Sequence, residues 1–172
     1  MKIKEIKVGS LKTNCYLLVS KNELLIIDPG AEAEKIIKQI KKSKGRPIGI
    51  VNTHTHYDHT GANRAIKDKF NLKILTGPKI KVGKLNLKVV ETPGHEEDAV
   101  TLIGKDFAFT GDTLFKNETG RTDLPGGSYK KLKKSIEKLS KELKEGMKIY
   151  PGHGESFTLK NTNLKEKYIK NA

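Results

Sequence analysis

Apolar residues along this chain follow two rhythms. Short runs bounded by Gly, Asn, Pro or Lys suit β-strands: Ile3 to Val8, Tyr16 to Val19, Leu24 to Ile27, Ile48 to Val51, Ile74 to Leu75, the alternating Leu85, Leu87 and Val89, Val100 to Ile103, and Phe107 to Phe109. Elsewhere the spacing becomes helical. Ala33, Ile36, Ile37 and Ile40 fall at i, i+3, i+4 and i+7, while Leu132, Ile136, Leu139 and Leu143 form a stripe that ends before Gly146. A third, shorter helix is expected to begin near Gly61. The order is strands, helix, strand, helix, a run of strands, helix, strand, which predicts a mixed α/β layered domain with helices covering sheet surfaces.

Composition narrows the class. A chain of 172 residues with 35% hydrophobic content is sized for one domain, expected to span residues 1–172. The start, MKIKEIKVGS, is basic but has no apolar core, and no apolar run approaches the ~20 residues of a membrane span, so a cytoplasmic protein without membrane attachment is expected. The single cysteine, Cys15, has no internal partner for a disulfide and reads as strand packing. A net charge of +14 raises nucleic acid as a partner. Against it, only Arg46, Arg64 and Arg121 are arginine, and lysines interleave with glutamate, as in KKLKKSIEKLSKELKEG, the pattern of a solvated surface. Nucleic acid is therefore not the expected partner; long-range attraction of small anions is.

The histidines carry the chemistry. All five, His54, His56, His59, His95 and His153, adjoin turns that follow apolar strands, and none lies in the lysine-rich helices. His54, His56, Asp58 and His59 form HxHxDH after Val51; His95 ends ETPGH; Asp112 sits in FTGDT; His153 lies in YPGHG. In an extended stretch His54, His56 and Asp58 share one side, and a turn at Tyr57 to His59 would swing Asp58 and His59 toward a second point. Neutral imidazole and carboxylate suit zinc, iron or manganese, and a carboxylate can bridge two ions about 3.5–4 Å apart. Seven candidate donors exceed the four of one tetrahedral zinc, so two ions account for them better.

In the order THTHYDH, TPGH, TGDTLF, GRTDLPGG, YPGHG, these segments resemble the metallo-β-lactamase superfamily, and within it the compact hydrolases related to glyoxalase II, hydroxyacylglutathione hydrolase. The resemblance implies an αββα four-layer sandwich of two mixed β-sheets flanked by helices, with a binuclear site at one edge. It implies that His54, His56 and His95 hold one divalent metal, Asp58, His59 and His153 a second, and that Asp112 bridges them, with zinc expected and iron or manganese permitted. A metal-bridging hydroxide would attack the carbonyl of a thioester such as S-lactoylglutathione or another acyl-thiol, with Asp58 orienting it or handling a proton. Asp28 in IIDPG resembles a position that orients a ligand histidine, against the plainer reading of a strand-end turn. Arg121 and Asp123 resemble a buried ion pair bracing a loop.

The chain departs from the family in two places. Only NTNLKEKYIKNA follows the last strand-like segment, where full-length glyoxalase II has a helical domain that contacts glutathione. After His95 stand Glu96, Glu97 and Asp98, which would disfavour anionic substrates if they faced the pocket and pair with lysines if they faced solvent. Two rival readings remain. A persulfide dioxygenase would use one iron on His54, His95 and Asp112, and a basic metalloprotein would bind nucleic acid.

Overall fold

A computed structural model of the chain describes residues 1–160 and 163–169. The chain forms two compact units, the first running from Met1 to Lys88 and the second beginning at Val89.

In the first unit, β1 (Lys2–Val8), β2 (Thr13–Ser20), β3 (Glu23–Ile27) and β4 (Arg46–Val51) form one sheet in that order. β1, β2 and β3 are antiparallel neighbours, whereas β3 and β4 run parallel and are joined through α1 (Ala33–Lys42). A parallel pair requires such a crossover, and the spacing of Ile36, Ile37 and Ile40 turns the apolar face of α1 onto the sheet. There they pack with Ile6, Val8, Cys15, Leu17, Leu24, Ile26 and Ile50, and with Ala62 and Ile66 of the segment that includes α3 (Asn63–Phe70). Nearly every residue of β2 and β3 is buried, so both faces of these strands are covered, which explains why they read as continuous rather than alternating apolar runs. Cys15 is a packing residue, and burial pushes its thiol pKa well up.

The second sheet has the order β10-β9-β8-β7-β6-β5. Its hairpin of β5 (Lys79–Val82) and β6 (Leu85–Glu91) starts in the first unit. The second unit holds β7 (Val100–Ile103), β8 (Phe107–Gly111), β9 (Lys148–Pro151) and β10 (Phe157–Thr158). β8 and β9 are again parallel, joined through α4 (Tyr129–Glu142). Ser128 caps α4 by accepting from the Lys131 N–H at 3.3 Å, and Leu132, Ile136 and Leu139 bury its apolar stripe against Ala108 and Ile149.

One expected strand needs correction, and two helices were not foreseen. Ile74 makes only an isolated bridge to Ile50, so Ile74 to Leu75 is not a strand; flanking Lys and Gly leave too short an apolar run to extend a ladder. The helix expected near Gly61 is found as α3, and a further short helix, α2 (Tyr57–Thr60), precedes it, so helical structure starts inside the histidine motif. In NTNLKEKYIKNA, residues 161–162 and 170–172 lie outside the described residues, yet α5 (Leu164–Tyr168) forms between them. Its Leu164 and Tyr168 are buried in the core of the second unit, and the Tyr168 hydroxyl donates to the Lys116 carbonyl at 2.9 Å. Two apolar residues four apart were too sparse a signal for a helix. β5 and β10 were missed for the same reason: their alternation is carried by two residues or fewer.

Leu139 is fully buried on α4. Leu139→Ala is expected to lower the unfolding free energy by about 2–5 kcal/mol, measured by urea denaturation, because it leaves a cavity in the core of the second unit.

Candidate metal centre

Both units use the same device to present polar side chains. In the first, Ile27 and Val51 are register partners at the ends of parallel strands, and the Asp28 N–H donates to the Val51 carbonyl at 3.0 Å, so the residues that follow, Asp28 and Thr53, emerge side by side. In the second, Gly111 of β8 pairs with Pro151 of β9, and Asp112 and His153 follow. The carboxyl ends of parallel strands are where α/β sheets present their ligands.

Asp28 is 1% exposed and sits at positive φ, with its carboxylate turned toward the residues after β4. Its Oδ1 accepts from the Thr53 N–H at 2.7 Å and its Oδ2 from the Thr53 hydroxyl at 2.7 Å. Because that hydroxyl has one proton and gives it to Asp28, its oxygen accepts from His54 Nδ1, 3.1 Å away. The His54 proton therefore resides on Nδ1, and Nε2 carries the lone pair. Asp28 Oδ2 also lies 3.1 Å from His59 Nδ1. The orienting role of Asp28 is the one the geometry supports, and the turn it makes is the means.

Extended backbone carries the chain to His56, which has ψ 143° and precedes α2. The turn then brings Asp58 and His59 round. A ring nitrogen of His54 lies within 4.8 Å of one on His56 and of one on His59, and an Asp58 oxygen within 4.8 Å of a His59 ring nitrogen. His59 Nε2 stands 3.5 Å from Asp58 Oδ2, and the His54 and His59 rings are 4.0 Å apart between centroids. A four-residue helix has no stability of its own, so α2 is held by its neighbours. Asn52 Nδ2 donates to the His59 carbonyl at 2.9 Å, the Ala62 N–H donates to the Pro29 carbonyl at 2.9 Å, and Gly30 lies flat against the backbone of α2. A Cβ on Gly30 would fall 1.4 Å from the Asp58 carbonyl oxygen.

In the second unit, Asp112 Oδ2 lies 3.6 Å from His95 Nε2 and 3.5 Å from His153 Nε2, so one carboxylate oxygen faces two imidazoles. His95 Nδ1 is 2.9 Å from the Arg121 carbonyl, which can only accept, so this ring too has its proton on Nδ1 and its lone pair on Nε2. The loop bearing His95 turns at Gly94, where φ is 144° and a Cβ would lie 2.3 Å from the Leu132 Cα. Buried hydroxyls tie this loop to the Asp112 loop: Thr92 Oγ1 is 3.2 Å from Thr113 Oγ1 and 3.1 Å from Thr101 Oγ1.

The Arg121–Asp123 pair forms at 2.7 Å, but with side chains 61% and 66% exposed, which corrects the expectation of a buried brace. What braces His95 is the Arg121 backbone. Glu97 pairs with Lys131 at 2.8 Å and is exposed, the solvent-facing alternative for that residue. Thr13, Thr53, Thr92 and Thr113 were not singled out from sequence. Their only signal is a hydroxyl inside or beside an apolar strand, next to a donor motif.

Two imidazoles, His54 and His95, that present Nε2 lone pairs while acceptors hold their Nδ1, beside further imidazoles and carboxylates, are the donor set a divalent cation requires. This fold and these side chains define a class of metal-dependent hydrolases. The family model of the metallo-β-lactamase superfamily matches residues 8–98 and 77–153. The chain belongs to the metallo-β-lactamase superfamily, as a metallo-hydrolase. The probable metallo-hydrolase YqgX of Bacillus subtilis is 30% identical, covering 90% of each chain. The hydroxyacylglutathione hydrolase GloC of Haemophilus influenzae is 29% identical over 92% of this chain and 93% of its own. Among solved structures, the BLEG-1 B3 metallo-β-lactamase superposes with a TM-score of 0.85 at 28% identity, covering 95% of this chain and 96% of that one. Two mixed sheets with helices, the expected fold, is the one found. Among the described residues no helix is long and apolar enough to cross a membrane.

Gly30→Ala is expected to push α2 off the sheet, costing about 1–3 kcal/mol in urea unfolding and lowering metal retention in a chelator competition. Arg121→Ala and Asp123→Asn should leave metal retention unchanged, because His95 leans on a carbonyl. The hydrogen bond from Arg121 holds the Asp123 carboxyl down at about 2. A depressed carboxylate contributes stability above its unfolded pKa and loses it as pH falls through the folded one, so whatever this exposed pair adds is present in the parent from pH 9 to 5, and the two variants, which lack it, should converge on the parent in urea unfolding as pH falls toward 2.

Proposed function

We propose that the two donor groups serve one binuclear centre and that the chain hydrolyses thioesters of small acyl-thiols in the manner of glyoxalase II. The observation that carries the metal reading is the fixed tautomer of His54 and of His95, each with Nε2 as the lone-pair nitrogen. His54, His56 and His95 would hold one ion, Asp58, His59 and His153 the other, with Asp112 shared. In support, the family match includes the segments that carry all seven residues. The thioester reading draws on the likeness to GloC, by its name a hydroxyacylglutathione hydrolase.

When bound, two divalent ions supply a hydroxide nucleophile at neutral pH and an electrophile for the acyl oxygen, whichever of zinc, iron or manganese is loaded. The protein then has to fix donors and move a proton. Asp28 and the Arg121 carbonyl lock the rings, so no reorganisation accompanies turnover. Asp58 is assigned the proton. Its side chain is 25% exposed against 11% for Asp112, so it is the carboxylate of the set with more access to solvent. Asp112 is assigned to the shared position, with one oxygen already facing two imidazoles.

Purified protein is expected to carry about two metal ions per chain and to release thiol from S-lactoylglutathione or a simpler acyl-thiol without consuming oxygen. A chelator should abolish this, and Asp58→Ala should lower turnover roughly 10²–10⁴-fold. Chelator-resistant hydrolysis contradicts the proposal. One iron with oxygen uptake on a persulfide replaces it with the dioxygenase reading, and turnover of a cephalosporin but no thioester would favour the chemistry named for the BLEG-1 structure.

A further inference from the structure

Two of the three donors of the second proposed set, Asp58 and His59, come from a helix of four residues, and each meets a buried polar side chain at the end of a strand. For His59 it is Asp28. For Asp58 it is Thr13, whose hydroxyl donates to Asp58 Oδ2 at 2.7 Å across 45 residues of sequence. Thr13 is 1% exposed. The chemistry of each partner complements that of its ligand: the His59 ring faces a carboxylate oxygen 3.1 Å from its Nδ1, and the Asp58 carboxylate receives a donor.

Thr13 is itself rigidly placed. It opens β2 in register with Val8, at the end of a tight turn in which the Lys12 N–H donates to the Gly9 carbonyl at 3.2 Å. The Gly9 N–H in turn donates to Glu32 Oε2 at 3.0 Å, which fixes the turn to the start of α1 and helps hold the Glu32 carboxyl below its usual range. A β-branched residue on a strand has a stiff χ1, so the hydroxyl is aimed before Asp58 arrives. The bonded oxygen, Oδ2, is also the one 3.5 Å from His59 Nε2.

We infer that Thr13 is a positioning residue for the second metal: its hydroxyl holds the Asp58 carboxylate in its ligating orientation. This rests on the reading of Asp58 as a ligand. A hydrogen bond to the oxygen that faces the neighbouring donor fixes the carboxylate plane, so the ion finds a preset site instead of ordering the side chain on binding.

The test compares Thr13→Val, which keeps shape and strand propensity but removes the donor, with Thr13→Ser, which keeps the donor. Each is stripped of metal and titrated with zinc against a competing chelator, and the metal-free proteins are melted. The Val variant is expected to melt with the parent while one of two zinc ions binds roughly 10- to 100-fold more weakly. The Ser variant should restore most of that affinity. A Val variant with two zinc ions at parental affinity overturns the inference alone. So does one that melts well below the parent without metal and weakens both ions alike, since the hydroxyl would then serve packing. A parent protein that binds a single zinc overturns the binuclear reading, and this inference with it.

Discussion

The buried carboxylate of Asp28 is the constraint from which the first half of the centre follows. A charge sealed from water at a strand end is tolerated only when hydrogen bonds and a counter-group surround it. Asp28 meets that demand with the Thr53 backbone, the Thr53 hydroxyl and His59, and each contact fixes something. The N–H bond sets the path of the chain out of β4. The hydroxyl bond spends the only proton of Thr53 and thereby dictates the tautomer of His54. The contact with His59 pins the ring of a helix too short to place it unaided.

The second unit solves the same problem with neutral groups. His95 leans on the Arg121 carbonyl, and threonine hydroxyls join the loops of His95 and Asp112. The difference suits the surroundings. Asp112 already brings a carboxylate between two imidazoles, and another anion there would have to be compensated. A carbonyl orients the ring without adding charge. Around this chemistry the surface is lysine-rich, with ion pairs that are mostly exposed, such as Lys35–Glu32 and Lys131–Glu97. Such pairs add little stability.

Much of this was legible in the sequence, for a physical reason. The helices α1 and α4 announce themselves because their apolar faces are wide and periodic, and β2, β3, β7 and β8 because fully covered strands leave unbroken apolar runs. The donors are visible because histidine is scarce and turn-bound here. What escaped lies at longer range. Thr13 and Thr53 look like ordinary strand and turn residues until folding places them against carboxylates. The brace on His95 is a backbone carbonyl, which no side-chain pattern can signal, so Arg121 was read for its guanidinium when its carbonyl oxygen is what matters. α5 is held by tertiary burial of Leu164 and Tyr168, not by its own periodicity.

The central claim is that seven side chains from distant segments coordinate a pair of cations. Anomalous diffraction from crystals of the metal-loaded protein tests it most directly. Two peaks about 3.5–4 Å apart, one against His54, His56 and His95, the other against Asp58, His59 and His153, with Asp112 between them, are the expected result. A single peak, or peaks remote from these seven residues, would contradict it.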